Sequence, residues 1–311
     1  MIQLLRTPNV QFIPRRKWAY ALSCVLMVIG LTSLATKGLE YDIDFTGGTL
    51  VQVRFEQAPS IETIRAGLAR VQLGEGVIQE FGDPREFIIR VPLTGSTSEE
   101  LGKRVETALG QEPALGAFEI RRVEFVGPQV GRELQLQAIY AVLAGLAGIL
   151  VYIAVRFDLK GGVAAVAAVF HDVVVCLGAI SLTGREFSLP VLAAFLTVIG
   201  YSVNDTIVAY DRLRENRSKF LPKGKTFAEQ MNDAVNQTLS RTVLTALTTF
   251  FAATILFFFG GKTLEDFAFV LAVGVVSGTY STVYIAASIV VDWTYYMEGR
   301  VRRGKKAVAK A

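Results

Sequence analysis

Gly200 to Asn216, GYSVNDTIVAYDRLREN, begins inside an apolar run and leaves it through a dense cluster of charges. From Leu189 to Tyr210 nearly every residue is apolar or small, and at about 1.5 Å per residue such a run can cross a hydrocarbon layer roughly 30 Å thick. Asp205 lies within it, about one to two helical turns from its charged end. A carboxylate at that depth is costly unless it faces a partner or water, which marks it as a candidate functional site. The plainer reading is an interfacial aspartate hydrogen-bonded to a neighbouring helix.

Five further apolar runs surround this one: Trp18–Thr36, Ala138–Val155, Gly162–Leu182, Thr242–Phe259 and Phe267–Val291. With 51% hydrophobic and 19% charged residues and a mean hydropathy of +0.41, the chain reads as a polytopic α-helical membrane protein with six transmembrane helices rather than a soluble enzyme. The first run follows Arg6, Arg15, Arg16 and Lys17 and contains a signal-like Ser33-x-Ala35 pair. It exceeds a usual signal core and more spans follow, so it reads as a retained anchor.

An even number of spans puts both ends on one side. That side carries the amino-terminal bases, Arg156, Lys160, the series Arg212, Arg214, Arg217, Lys219, Lys223 and Lys225, and the tail from Arg300 to Lys310. The opposite short loops hold only Arg185 and Lys262, so both termini are expected in the cytoplasm. The expected organisation is a cytoplasmic N-terminus (1–17), a first transmembrane helix (18–37), an extracytoplasmic domain (38–132), a five-helix bundle (133–293) with a cytoplasmic loop near 211–240, and a basic cytoplasmic tail (294–311). The net charge of +4 gathers beside these spans, which topology alone requires, and gives no reason to invoke nucleic acid.

The outer segment has a legible pattern. Thr49–Phe55 alternates as a strand, Ser60–Val71 has helical spacing behind a Pro59-Ser60 cap, and Val77–Phe81 is a strand. Phe87–Val91 is a strand reached through an Asp83-Pro84 turn, Thr97–Leu109 is a helix, and Phe118–Val126 a closing strand. This order predicts an α+β ferredoxin-like domain, whose open sheet or edge can receive an extended peptide. Two glycine joints bracket it: Asp44-Phe45-Thr46-Gly47-Gly48, and Gly127-Pro128-Gln129-Val130-Gly131. Asp44, Gly47, Gly48, Gly127, Pro128 and Gly131 read either as ordinary well-made connections or as a hinge.

Other polar groups interrupt the spans. His171, the single histidine, precedes Asp172 near the middle of the third run, and the pair reads either as a clamp between helices or as part of a relay. Arg241, Thr245 and Thr248 share one helix face at the start of the fifth. Arg241 could simply snorkel; the threonines tip the reading toward function, because hydroxyls facing lipid would find no partner outside their helix. Asn204, His171, Thr245 and Thr248 are supporting polar candidates. Gly274, Ser277, Gly278 and Ser281, and separately Ala141, Gly145 and Gly148, have the spacing of close helix packing. Cys24 and Cys176 lie in apolar runs and imply no disulfide framework. No metal or cofactor motif is present, and Gly261-Lys262-Thr263 lacks the first glycine of a phosphate loop, with Leu256 in its place.

Taken together, GYSVNDTIVAYDRLREN, DFTGG, VGPQVG, His171-Asp172 and Ser240-Arg241-Thr242 resemble the SecF branch of the SecD/SecF protein-export family, over nearly the whole chain from Lys17 to about Trp293. The resemblance implies a six-helix half of a resistance-nodulation-division type transporter in the bacterial cytoplasmic (inner) membrane. It further implies pairing with SecD, work beside the SecYEG translocon and YajC on unfolded preprotein, contact with membrane lipid, use of the proton-motive force, and no enzyme activity or cofactor. It places the proton-linked acid on Asp205 and its basic partner on Arg241; Asp172 is a secondary proton-linked candidate on the reading of the residues alone. Two rivals belong to other classes: a non-transporting assembly scaffold, and half of a proton-driven exporter of lipids or small molecules.

Overall fold

Backbone groups in hydrocarbon have no hydrogen-bond partners but one another, so apolar runs of this length close into helices. The structure, a computed structural model, describes residues 8–91, 98–219 and 224–308. In chain order its elements are α1 (Arg16–Thr36), β1 (Glu40–Tyr41), α2 (Ile43–Thr46), β2 (Gly48–Phe55), α3 (Ile61–Ala69), β3 (Val77–Phe81), β4 (Asp83–Val91), α4 (Ser98–Gly110) and β5 (Phe118–Val126). There follow α5 (Pro128–Arg156), α6 (Leu159–Thr183), β6 (Glu186–Phe187), α7 (Leu189–Lys219), α8 (Phe227–Phe259), α9 (Lys262–Ser281) and α10 (Ala287–Val308), the last two joined by a π turn at Thr282–Ala286. Six helices, counting α9 and α10 as one, are long and apolar enough to cross a membrane among the described residues.

Several helices outrun their apolar cores. α7 continues past Tyr210 to Lys219 and α8 already begins at Phe227, so most of the stretch expected as a cytoplasmic loop near 211–240 is helix continuous with the spans. The cause is local. A capping box fixes the start, with Thr226 Oγ1 accepting from Glu229 N and the Glu229 carboxylate accepting from Thr226 N, and neither glycine nor proline interrupts the helix before Gly260.

The sheet domain has strand order β3-β4-β2-β5, all pairs antiparallel. α3 and α4 bury Ile64, Leu68, Leu101, Val105 and Leu109 against Val51, Val53, Phe55, Phe87 and Ile89 of the sheet. Ser60 caps α3, accepting from Thr63 N at 3.2 Å. One turn lies elsewhere than expected: Gly82, with φ of 81°, makes the tight link, while Asp83 and Pro84 already belong to β4. Pro84 can sit there because neither neighbouring strand pairs with it. Thr97, the expected start of the second helix, is outside the described residues.

Small residues bring the spanning helices together. A Cβ on Gly178 would stand 2.4 Å from the Gly30 Cα, so α1 and α6 cross nearly backbone to backbone. Gly274 meets Val198, and Gly278 meets Ser202, where α9 crosses α7. Gly145 and Gly148 have open space beside them. Their expected packing role is not fulfilled within this chain, because α5 stands at the edge of the bundle with little of its surface covered.

The sheet domain and bundle meet through elements too short to read from sequence. β1 pairs in parallel with β6. The two glycine joints touch each other, since a Cβ on Gly131 would lie 3.0 Å from both Gly47 N and Phe45 O, and Gln135 Nε2 donates to Phe45 O at 2.7 Å. Gly47 and Gly48 both adopt positive φ, 70° and 145°. Arg90 of β4 reaches Glu186 of β6 and, at 3.3 Å, Asp42. Asp44 accepts from Leu189 N at 3.3 Å, at the head of α7. Burial holds Asp44 and Glu186 above the usual carboxylate range, against the opposing pull of the Leu189 N–H and of Arg90. At the other end of the bundle, Asn232 and Asn236 of α8 clasp the backbone of Val10, Phe12 and Ile13.

Candidate functional site

The central stretch forms part of α7, and its period divides the residues between two surfaces. Ser202, Asp205 and Thr206 are buried toward the bundle, with Asp205 only 2% exposed. Ala193, Leu196, Thr197, Gly200 and Asn204 are exposed along the opposite side. Asn204 therefore does not join Asp205 inside this chain. With Ala193, Thr197 and Gly200 it makes a stripe of small and polar residues at three- and four-residue spacing, a surface suited to another helix.

Asp205 is buried without being clamped. Its Oδ2 has no hydrogen-bond partner, and the nearby Tyr201 hydroxyl is buried beside Thr245 and Thr249 of α8. Arg241, on α8, is exposed at the surface of the bundle. Its charge acts on Asp205, yet no ion pair within 4.0 Å joins them among the described residues. The structure thus puts the acid and the base on adjacent helices, near but apart.

Thr245 and Thr248 follow Arg241 along α8, and both satisfy their hydroxyls on their own helix. Thr245 Oγ1 donates to Arg241 O and Thr242 O, and Thr248 Oγ1 to Leu244 O and Thr245 O, all at 2.9–3.1 Å. Such back-bonding makes a threonine indifferent to what it faces. Thr245 is in addition within reach of the Tyr201 hydroxyl on α7, beside Asp205.

Asp172 has the opposite character. It is 1% exposed and is surrounded by donors: Ser202 Oγ at 2.7 Å from α7, Ser277 Oγ at 2.6 Å and Ser281 Oγ at 2.7 Å from α9, and His171 Nδ1 at 3.1 Å beside it. His171 and Asp172 do meet although they are neighbours in sequence. Sequence reasoning saw Ser277 and Ser281 only as small packing residues and did not connect Ser202 to Asp172. The available signal was that Ser277 and Ser281 share a helix face with each other and with Gly274. Close by, Thr206 Oγ1 and Thr282 Oγ1 lie 3.0 Å apart, adding a buried hydroxyl pair between α7 and the π turn.

Comparison with known proteins places these features in context. Residues 107–295 match the family described as "Protein export membrane protein SecD/SecF, C-terminal", and residues 32–59 match the SecD/SecF GG motif, which contains Gly47 and Gly48. The protein translocase subunit SecF of Desulfurispirillum indicum is 45% identical over 306 residues, covering 96% of each chain. Its counterpart in Pseudomonas aeruginosa is 42% identical over 289 residues, covering 93% of this chain and 92% of its own. Among solved structures, SecDF from Thermus thermophilus, a translocon-associated membrane protein, superimposes with a TM-score of 0.83 at 41% identity over 93% of this chain. A super-membrane-facing form of SecDF gives 0.70 at 39% identity over all of it. The chain spans 39% and 41% of those two SecDF chains.

Proposed function

The chain belongs to the SecD/SecF family of protein export membrane proteins, and from that premise we propose that it is a proton-driven accessory subunit of Sec translocation, with Asp205 as the residue that carries the proton. Its multi-pass architecture and its relatives make it a component of the bacterial inner membrane. The observation that carries the proposal is the contrast between two buried acids. Asp172 is fully engaged by donors from neighbouring helices, whereas Asp205 has an oxygen with no partner. A scaffold whose acids only clamp helices accounts for Asp172. It gives no reason for burying Asp205 unclamped, at a cost of a few kcal/mol.

Arg241 completes the reading. An arginine whose charge reaches the acid without pairing to it can stabilise the carboxylate when it approaches and release it when it withdraws. One charge crossing the full membrane potential is worth about 2.3 kcal/mol per 100 mV, enough to bias two packed arrangements of a bundle. Asp172 and His171 are secondary members, and the Gly47–Gly48 and Gly127–Gly131 joints are the pivot between bundle and outer domain. The strand order β3-β4-β2-β5 with α3 and α4 on one face supports a ferredoxin-like assignment for that domain. The exposed Ala193–Asn204 stripe of α7 supports a paired SecD-type helix. SecYEG, YajC, unfolded preprotein and lipid are the further partners in this reading, and both termini lie in the cytoplasm.

The deciding experiment is preprotein export into inverted vesicles with and without a proton gradient, using Asp205→Asn. Asparagine keeps the size and hydrogen-bonding capacity but cannot cycle between charged and neutral forms. The expected result is normal assembly with SecD, intact ATP-driven export and loss of the gradient-dependent part. An undiminished gradient response in a normally assembled complex would return the scaffold reading to the front.

A further inference from the structure

The cluster around Asp172 has a property that a static clamp does not need. Ser202, Ser277 and Ser281 all donate to the carboxylate, two of them to Oδ2. Ser281 differs from the others, because its Oγ also lies 3.2 Å from the Gly278 carbonyl. It has a second acceptor within reach of a simple rotation. Hydroxyls can act as donor or acceptor, whereas an ionised carboxylate can only accept.

We propose that Asp172, with Ser202, Ser277 and Ser281, is a second proton-holding site, distinct from Asp205. When a proton binds to Oδ2, the new O–H donates to Ser281 Oγ, and Ser281 turns its own hydrogen to Gly278 O. One proton enters, the carboxylate becomes a carboxylic acid, and no other group gains or loses a proton. Ser202 keeps its place on Oδ2, and Ser277 and His171 keep theirs on Oδ1. No buried group is orphaned by the change.

Two further observations fit a site that exchanges its proton. His171 Nε2 is buried and unpartnered while Nδ1 is on the carboxylate, the arrangement of an imidazole that can take a proton on one nitrogen and pass one from the other. The chain leaves the α-helical path at Thr282–Ala286, directly after Ser281; π turns of this kind recur at functional positions. The titratable groups around Asp172 are His171 and Cys176 on α6, Asp205 on the same helix as Ser202, Tyr280 and Tyr284 beyond Ser277, and Tyr20 from α1. Among the described residues neither lysine nor arginine pairs with Asp172, so the hydroxyls and His171 alone stabilise its charge.

The consequence falls on α7. Hydrogen bonds to an ionised acceptor are stronger than those to a neutral one, so the charged site ties α7 and α9 to α6 and the protonated site loosens them. Ser202 is one turn before Asp205 on α7. Asp172 therefore acts as a positioning residue for Asp205, which is the only point at which the proposal rests on the proton-driven reading above.

The test is infrared difference spectroscopy on the full chain assembled with SecD in lipid nanodiscs, with 13C-labelled aspartate, titrated from neutral to acidic pH. A protonated-carboxyl band is expected that Asp172→Asn removes and Asp205→Asn leaves in place. Ser281→Ala, which takes away one donor to the carboxylate, should bring the same band in at higher pH, and it serves as the test if Asp172→Asn fails to assemble. A titration in which neither variant alters any carboxyl band, with the protein folded throughout, would make Asp172 a permanently ionised clamp and overturn the proposal. Export measured alongside keeps the two readings apart: a gradient-independent machine with an intact Asp172 band sinks the motor and leaves this site standing.

Discussion

At Arg241 the shape of the side chain matters separately from its charge. A guanidinium presents a planar fork, whereas a lysine is a single mobile point charge. Arg241→Lys is expected to lower gradient-dependent export while insertion and assembly survive, and Arg241→Ala to abolish it; full activity of the alanine variant in the vesicle assay would make the residue a snorkelling arginine. Glu186 supports a pH prediction of the opposite sense from a usual salt bridge. Burial outweighs Arg90 and holds Glu186 above its ordinary value, so the folded protein binds this proton more readily than the unfolded chain. Its contribution to stability is fullest below the ordinary carboxylate value and is lost as pH rises through the raised one. Glu186→Gln should therefore match or exceed the wild-type Tm by a few degrees at neutral pH, with the difference vanishing in acid. Arg90 keeps Asp42 in either case. A markedly lower Tm at neutral pH would show that the ion pair dominates instead.

Among the elements, the crossing of α7 and α9 is the least forgiving. A Cβ on Gly274 would lie 2.2 Å from Val198, so Gly274→Val should cost about 1–3 kcal/mol through overpacking, read as a lower Tm in detergent and weakened export. Gly145→Val, on the open side of α5, should leave the isolated chain's Tm unchanged. Legibility varied with the length of each element. β3 and β5 could be read to the residue because glycines bracket runs of five and nine residues rich in strand formers, whereas β1 and β6, of two residues each, have no period to detect. Asn232 and Asn236 sit in a polar stretch with no local sign that they hold Val10. Asp205 stood out because one acid in an apolar run is costly whatever surrounds it. The nature of Asp172 could not be read, because its donors come from α7 and α9, far away in sequence.

For the whole molecule the first matter is orientation. Arginine and lysine gather on one side, and the expected outcome is that a cysteine placed at Ser98 reacts with an impermeant reagent from outside, while one placed at Lys305 reacts only after the membrane is opened. Cys24 and Cys176 must be replaced or shown unreactive first; Cys176 is buried and Cys24 lies on the exposed side of α1. The reverse pattern would invert the topology and detach the sheet domain from any role outside the cell.

The sheet domain also does not end where its strands end. Arg90 is answered by Glu186, and Tyr41 and Phe45 stack on Phe187, which itself stacks on Phe195 of α7. Its border thus includes a short piece of chain nearly sixty residues beyond β5. A chimaera that exchanges residues 48–126 between two relatives transplants only half of a matched pair, while one that also exchanges Asp42, Glu186 and Phe187 carries the seam with the cloth. The domain is thus a discontinuous unit of the chain, and the aromatic contacts at Phe187 are where a mismatched exchange should be felt first.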